Sequence, residues 1–350
     1  DSLDESEMGN TFYYYILAAF NGGITNVVEE DKKSVAIGFT IPGSYENIQA
    51  GIDSSIVGDS INVEVGTYTG NFDFSGKKIT LKCQGDPGAC ILDGNGSGPL
   101  VTFTGEEDAS TVLDGFTIQN GISTDEYDGG AMTIKSDPQI RNCTFNNNIA
   151  DRGGAVFLRE GAEPIFIGCN FTNNTSTSGV QSYGGGAIYS LSYTNPTFDN
   201  CDFIANQSEG NGGAVYFSEL ALPTLNNCTF SSNKSIDGHG GAIYVDKNHT
   251  MTPTNCSFNL NEAKNGGAGY IENSNNIEFK QCQFIDNKSV DGGSLYITGS
   301  ELTIQNCILW DNEAYRGGAI SNYNSTLQID HSTVVENIAV GFHDSPGGGL

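Results

Sequence analysis

Residues 240–261 read GGAIYVDKNHTMTPTNCSFNLN, and their reading decides the fold. A glycine pair (Gly240, Gly241) opens the stretch, a β-branched and aromatic run follows, and Cys256-Ser257-Phe258 with Asn261 closes it. The frame recurs about every 26 residues. Glycine pairs begin at Gly129, Gly153, Gly185, Gly212, Gly240, Gly266, Gly292, Gly317 and Gly347. The closing asparagines are Asn148, Asn174, Asn206, Asn233, Asn261, Asn287, Asn312 and Asn337. Cys143, Cys169, Cys201, Cys228, Cys256, Cys282 and Cys307 each stand five residues before one of the first seven, and Ser332 takes that place in the eighth copy. A fixed period of this size marks a stacked solenoid, which offers long faces rather than one deep pocket.

Spacing within a copy shows where it bends. From the second glycine to the cysteine position is 13 to 15 residues, and from there to asparagine is always five. The segment from asparagine to the next glycine pair runs from four residues to ten, so insertions collect at one corner. Runs such as Ala214-Val215-Tyr216-Phe217 and Ser294-Leu295-Tyr296-Ile297 follow glycine turns and read as short strands. Cys-x-Phe alternates with period two, which points both side chains the same way. Pro138, Pro164, Pro196 and Pro223 each stand five residues before the cysteine and mark a corner leading into a strand, with Pro253 two residues further on in its copy. No stretch of ten residues carries a 3.6 period. Three short strands per copy make one turn of a triangular parallel β-helix. The expected fold is therefore all-β, a single solenoid of about 11–12 coils and ~50–55 Å in length.

Each repeated column then has a physical task. Glycine permits positive φ or close backbone approach at a corner. Asparagine tolerates left-handed geometry, and its amide can bond to the asparagine one coil away. Phe145, Phe171, Phe203, Phe230, Phe258 and Phe284 fill the interior, where the cysteines stack as small hydrophobes. Tyr189, Tyr216, Tyr244, Tyr270 and Tyr296 form a further column, either packed inside or exposed as an aromatic strip; the interior is the preferred reading.

Before Gly129 the repeat weakens. Residues 1–58 read as an N-terminal segment and cap, with a short amphipathic helix at Ile48-Gln49-Ala50-Gly51-Ile52-Asp53; residues 59–350 read as the solenoid, regular from about 110. Residues 11–20 (TFYYYILAAF) are too short to span a membrane and follow an acidic leader, so they read as a cap strand or a strand donated to a neighbour. The last four residues, GGGL, open another copy, so the chain is expected to be part of a longer protein.

With 15 basic and 42 acidic residues the net charge is −27, which disfavours nucleic acid and polyanionic sugars as partners. Cys83 and Cys90 flank a turn-rich hexapeptide and are expected to form a disulfide, which would indicate an oxidising exterior. The other seven cysteines are too regularly spaced along one inward face for a metal centre, and none is expected. Twelve Asn-x-Ser/Thr sequons occur, among them Asn95, Asn206, Asn233, Asn248, Asn287 and Asn324; Asn142, Asn227 and Asn255 abut the buried cysteines and are expected to be inaccessible.

The pairing of GGA[ILV] with FxxN, as in Gly240-Gly241-Ala242-Ile243 and Phe258-Asn259-Leu260-Asn261, resembles the repeats of chlamydial-type polymorphic outer membrane proteins. The wider chain resembles a pectin-lyase-like right-handed parallel β-helix. Its start is similar too, with Ile48-Gln49-Ala50-Gly51-Ile52-Asp53, then Gly58-Asp59, then Val65-Gly66-Thr67-Tyr68. The repeat likeness covers about residues 110–350 and the cap likeness about 40–100. The resemblance implies a right-handed coil and a secreted or surface-displayed protein. It leaves activity open, because the fold hosts lyases, hydrolases, adhesins and passive rods.

Lyases of this architecture use calcium-binding carboxylates with a basic residue, and hydrolases use paired acids. The column preceding the glycine pairs holds Asp128, Arg152, Gly184, Asn211, His239, Asn265, Asp291, Arg316 and Pro346. Asp237, His239, Asp291 and Arg316 are the candidate surface-binding residues there, with calcium the only cofactor entertained. Turn chemistry alone explains Asp, Asn and Gly at such positions. The strand faces are read as carrying no paired carboxylates on adjacent coils. No catalytic residue is assigned. The preferred function is an extracellular structural or adhesive element, a candidate filament subunit that associates with itself, with neighbouring surface proteins or with glycans. The alternative is a polysaccharide lyase or glycoside hydrolase.

Overall fold

A computed structural model describes residues 38–341 except 160, 181, 182 and 248. The stretch 11–20, the last glycine pair and the sequon at Asn248 lie outside the described residues. The chain winds as a parallel β-solenoid of about 11 turns with three long sheets and a short corner ladder. The first sheet runs from Gly38–Ile41 through Ser60–Val63 to Thr224–Asn226 and resumes at Ile277–Lys280. Its gap falls at the coil of Pro253, where Thr254 makes only isolated bridges to Asn226 and Lys280. Proline supplies no N–H to a ladder, which accounts for the interruption. The second sheet has 10 strands, from Phe72–Asp73 through Ile243–Val245 to Ile320–Tyr323. The third has 11, from Gly66–Thr69 to Thr333–Val335. Eleven strands at the usual spacing make a rod of about 50 Å.

Registers are in phase, so each repeat position stacks on itself: Phe230 pairs with Phe258, and Phe258 with Phe284. Inside, Phe145, Phe171, Phe203, Phe230, Phe258 and Phe284 stack at 4.7–4.9 Å between ring centroids, all fully buried. The seven free cysteines are buried in the same core. Burial pushes the Cys143 thiol up to about 12. Cys83 and Cys90 are joined by a disulfide with 5.7 Å between Cα atoms.

The asparagines form a continuous hydrogen-bonded column. Asn206 donates from its backbone N–H and from Nδ2 to Asn233 Oδ1, both at 3.0 Å, and Asn233 repeats this to Asn261 Oδ1. Left-handed backbone belongs not to these asparagines but to the residue before each: Asn147, Asn173, Ala205, Ser232, Leu260, Asp286, Asp311 and Glu336. Among the sequons, Asn206, Asn233 and Asn287 are fully buried column members whose amides are already engaged. Asn142, Asn227 and Asn255 are exposed, which corrects the sequence expectation. Their cysteine neighbour turns inward while the asparagine turns out at the corner, with φ of 50–55°.

The glycine pair splits its work. Gly240 has φ +68°, and a Cβ on Gly241 would lie 2.0 Å from the Gly267 carbonyl oxygen of the next coil. One member supplies the turn and the other the close approach. At the N-terminal end, helix Ile48–Ser54 is capped by Asn47, whose side chain accepts from the Ala50 N–H, and it buries Ile48 and Ile52 on the first coils. The strand Gly38–Ile41 already belongs to the first sheet, within the stretch read from sequence as cap.

Candidate functional site

The tyrosine column lies on the outer face of the second sheet. In Ile243–Val245 the alternation turns Ile243 and Val245 into the core, so Tyr244 must face outward. Phe157, Tyr189, Tyr216 and Tyr244 form a buried cluster separate from the interior, with Tyr270 packed against it. The rings from Phe157 to Tyr296 stack at 4.9–5.4 Å between centroids. Each ring's faces are covered by its neighbours, and Tyr189, Tyr216 and Tyr244 are only 3–5% exposed in all although they lie outside the core, while Tyr270 and Tyr296 are half-buried. The preferred interior reading is thereby corrected. The column is a covered strip on the outside, open to solvent mainly at Tyr270 and Tyr296.

Basic side chains flank it on the glycine-corner side. The Arg152 guanidinium sits 3.3 Å over the Tyr183 ring and lies 3.3 Å from Glu126. Tyr183 in turn meets Tyr189 edge-on at 6.5 Å. His239 stacks on Tyr270 at 4.7 Å, and its Nδ1 is buried with no hydrogen-bond partner among the described residues. Burial, with Lys264 nearby, holds the imidazole below its ordinary range.

Carboxylates line the opposite side. One residue beyond the paired Val245 and Ile271, Asp246 and Glu272 stand on adjacent coils. Tyr244 Oη donates to Glu272 Oε2 at 2.6 Å, and Tyr216 Oη donates to Asp246 Oδ2 at 3.5 Å. Burial, then the charges of Glu272 and Glu219, lift the Asp246 carboxyl above the usual range, partly offset by Lys247. Burial also raises the tyrosine hydroxyls, that of Tyr189 to about 12. These residues overturn the reading that adjacent coils carry no paired carboxylates. Their signal was legible: Tyr244-Val245-Asp246 and Tyr270-Ile271-Glu272 repeat Tyr-x-acid in consecutive copies, and period two puts tyrosine and acid on one face.

The four candidates from sequence fall differently. Bridges place His239 beside Asn265 and Asn265 beside Asp291, and Asp291 is in register with Arg316. Asp291 is thus two coils from His239, about 10 Å along the axis. Arg316 grips Asp291 through two bonds of 2.6 and 2.7 Å, so these two charges meet each other. Asp237 is exposed on the preceding corner. The four do not converge on one point. Among the described residues no group of three His, Cys, Asp or Glu is placed to hold a metal ion, and no helix is long and apolar enough to cross a membrane.

Residues 69–258 and 235–349 match the family described as right handed beta helix region, and the chain belongs to it. No curated protein matches. Among solved structures, the chain is similar to an alginate lyase from Paenibacillus sp. str. FPU-7, with TM-score 0.50 and 13% identity over 85% of this chain and 99% of that one. That likeness shows the pectin-lyase-like fold. Also similar are ORF18 of Geobacillus virus E2 (TM-score 0.43, 16% identity, 81% of this chain and 57% of that one) and a mannuronic acid specific family 6 lyase from human gut microbiota (TM-score 0.36, 10% identity, 84% and 83%).

Proposed function

We propose that this member of the right-handed β-helix family is an extracellular or cell-surface structural and adhesive protein that holds glycan along its tyrosine face. The stacked column from Phe157 to Tyr296 carries the reading. It offers a rigid strip roughly 25 Å long, edged by hydroxyls and carboxylates that can exchange hydrogen bonds with sugar hydroxyls. The acidic rim and the net charge of −27 repel uronates, so a neutral polysaccharide is the better fit. The Cys83–Cys90 disulfide suits an oxidising exterior, and the likeness to polymorphic outer membrane protein repeats supports surface display. In-phase coils also suit end-to-end association into filaments, which electron microscopy of native material would reveal as an axial repeat.

The test is retention on immobilised neutral polysaccharides such as xylan and mixed-linkage glucan. Tyr244→Phe keeps the ring and removes the hydroxyl, and Glu272→Gln removes the charge. Both should weaken retention. No retention, or retention indifferent to both changes, overturns the reading. One observation favours a second reading: Asp246 and Glu272 form a carboxylate pair with one member raised, the asymmetry that acid–base hydrolysis needs. Release of reducing ends from the same polysaccharides, lost in Asp246→Asn, would establish a hydrolase instead.

A further inference from the structure

The outer face of the third sheet changes character over its last three coils. Upstream one outward column is polar at Asn146, Thr172, Ser231 and Asn259, with Ile204 its one apolar member. From residue 285 the same column turns apolar, with Ile285, Trp310 and Val335 in register and Ile308 beside them. Ile308 and Trp310 are each 41% exposed. Around the corner a second apolar column follows, in which Val290, Tyr315 and Val340 are also exposed. These columns face away from the axis, so coils stacked along the axis lengthen them rather than cover them.

Between the two columns runs a line of acids: Asp286, Asp311 and Glu336, the left-handed residues of successive coils. Glu336 accepts from Trp310 Nε1 at 2.5 Å, which holds the indole against this line. Desolvation and then the neighbouring Asp311 charge hold the Asp286 carboxyl above the usual range. The nearest cations also have other partners: Lys288 pairs with Glu313 at 3.0 Å and offsets the charge of Asp286 and Asp311 only in part, and Arg316 pairs with Asp291. Isolated apolar residues on a surface are ordinary, but two aligned columns flanking like charges are a contiguous patch.

We propose that this corner is a docking surface for a basic segment of a partner protein, one that carries lysine or arginine among apolar side chains. Charge complementarity selects that occupant. A second copy would bring the same acids and a net charge of −27 against this patch. The indole and tyrosine supply the apolar anchors typical of an interface centre.

Trp310 is the only tryptophan of the chain and reports directly on the patch. The probe is a synthetic peptide of alternating lysine and leucine, titrated into the full chain while indole emission is followed at low and physiological salt. A saturable emission shift that weakens with salt is expected. Asp286→Asn with Asp311→Asn should weaken binding roughly tenfold, about 1.4 kcal/mol. Glu64→Gln with Glu106→Gln removes equal charge from exposed positions elsewhere and should leave the titration unchanged. Ile308→Ser with Val335→Ser should also weaken it. No saturable shift overturns the proposal, as does an equal loss from both charge-removing pairs, which would mean general attraction to an acidic rod. Chitosan oligomers that shift emission where the peptide does not would assign the surface to amino sugars and refute the protein partner.

Discussion

Replacing Asn233 by alanine tests whether the asparagine column holds the coils together. Asn233 Oδ1 accepts two hydrogen bonds from Asn206, one from its backbone N–H and one from Nδ2. Its own Nδ2 donates to the Phe203 carbonyl at 2.9 Å and to Asn261 Oδ1. Asn261 Oδ1 keeps a donor in Asn233→Ala, because the Asn233 backbone N–H already bonds to it. Two donors of Asn206 lose their acceptor in a site that water does not reach. A buried donor left unsatisfied costs about 1–3 kcal/mol, so the change should cost about 2–6 kcal/mol. Asn337→Ala is the control, since Asn337 is only partly buried and water can replace it at a cost of about 1 kcal/mol or less. Guanidinium unfolding followed by far-ultraviolet dichroism gives the two differences. Solenoids need not unfold in one step, so amide exchange at Asn206 supplies the local reading. It should quicken at least about thirtyfold, the equivalent of 2 kcal/mol. A cost below about 1 kcal/mol for Asn233→Ala, or one equal to that of Asn337→Ala, would show that the column is incidental to stability.

Three further outcomes follow from the same geometry. A thiol reagent should modify none of the seven free cysteines in the folded chain and all seven in denaturant, with Cys83 and Cys90 spared throughout; labelling of the native chain would place thiols outside the core. His249 is 1% exposed, and burial pushes its pKa down to about 4 against the opposing effect of the Ser218 and Ala221 backbone. The unfolded chain therefore binds the extra proton first. Its contribution is full above about pH 6.5 and is lost as pH falls toward 4, by up to about 3 kcal/mol; His249→Leu should flatten that limb of the stability curve, and an unaltered limb would refute the assignment. Gly241→Ala should prevent closure of its coil, because the Cβ meets a carbonyl oxygen at 2.0 Å, whereas Gly161→Ala meets nothing within 4 Å and carries only the strain of φ +83°, about 1–2 kcal/mol. Equal yields of folded protein from the two variants would contradict the close-approach argument.

Fold and site were unequally legible for a physical reason. Inward positions answer to packing and to the next coil, so Phe258, Cys256 and Asn261 each recur in kind, and a period could be read from them alone. Outward positions answer to solvent, which accepts Thr, Tyr, Asp or Asn alike, and the repeat carries little information there. The tyrosine column was visible as a column, but its side of the sheet turned on alternation: Ile243 and Val245 take the interior and leave Tyr244 outside. Asp246 and Glu272 stand on the strand after the glycine pair, whereas the charged residues that suggest a site in the sequence gather at the corner before it. Adjacency in sequence to a buried cysteine does not fix the burial of Asn142, Asn227 and Asn255, because at a corner with positive φ the two part company.

In-phase stacking repeats an unfavourable contact as faithfully as a favourable one. Two like charges one strand spacing apart in water repel by about 1 kcal/mol. Over much of the rod, neighbouring coils offset this with opposite charges: Lys78 with Asp108, Arg159 with Asp128, Lys234 with Glu262, Lys288 with Glu313, and Arg316 with Asp291. Asp246 with Glu272 and Asp286 with Asp311 break that pattern, and in each pair one carboxyl is raised in part by its neighbour's charge. Neither acid–acid contact helps to hold the coils, although Asp246 and Glu272 each accept a hydrogen bond from a tyrosine one coil away. Both lie against aromatic side chains on outward faces, the first against Tyr216 and Tyr244, the second beside Trp310. A rod stabilised by its interior can tolerate about 1 kcal/mol of repulsion at such places, and a ligand that supplies donors or cations there would relieve it. That relief is the physical ground on which the tyrosine face and the Trp310 corner can act as separate binding surfaces on one scaffold.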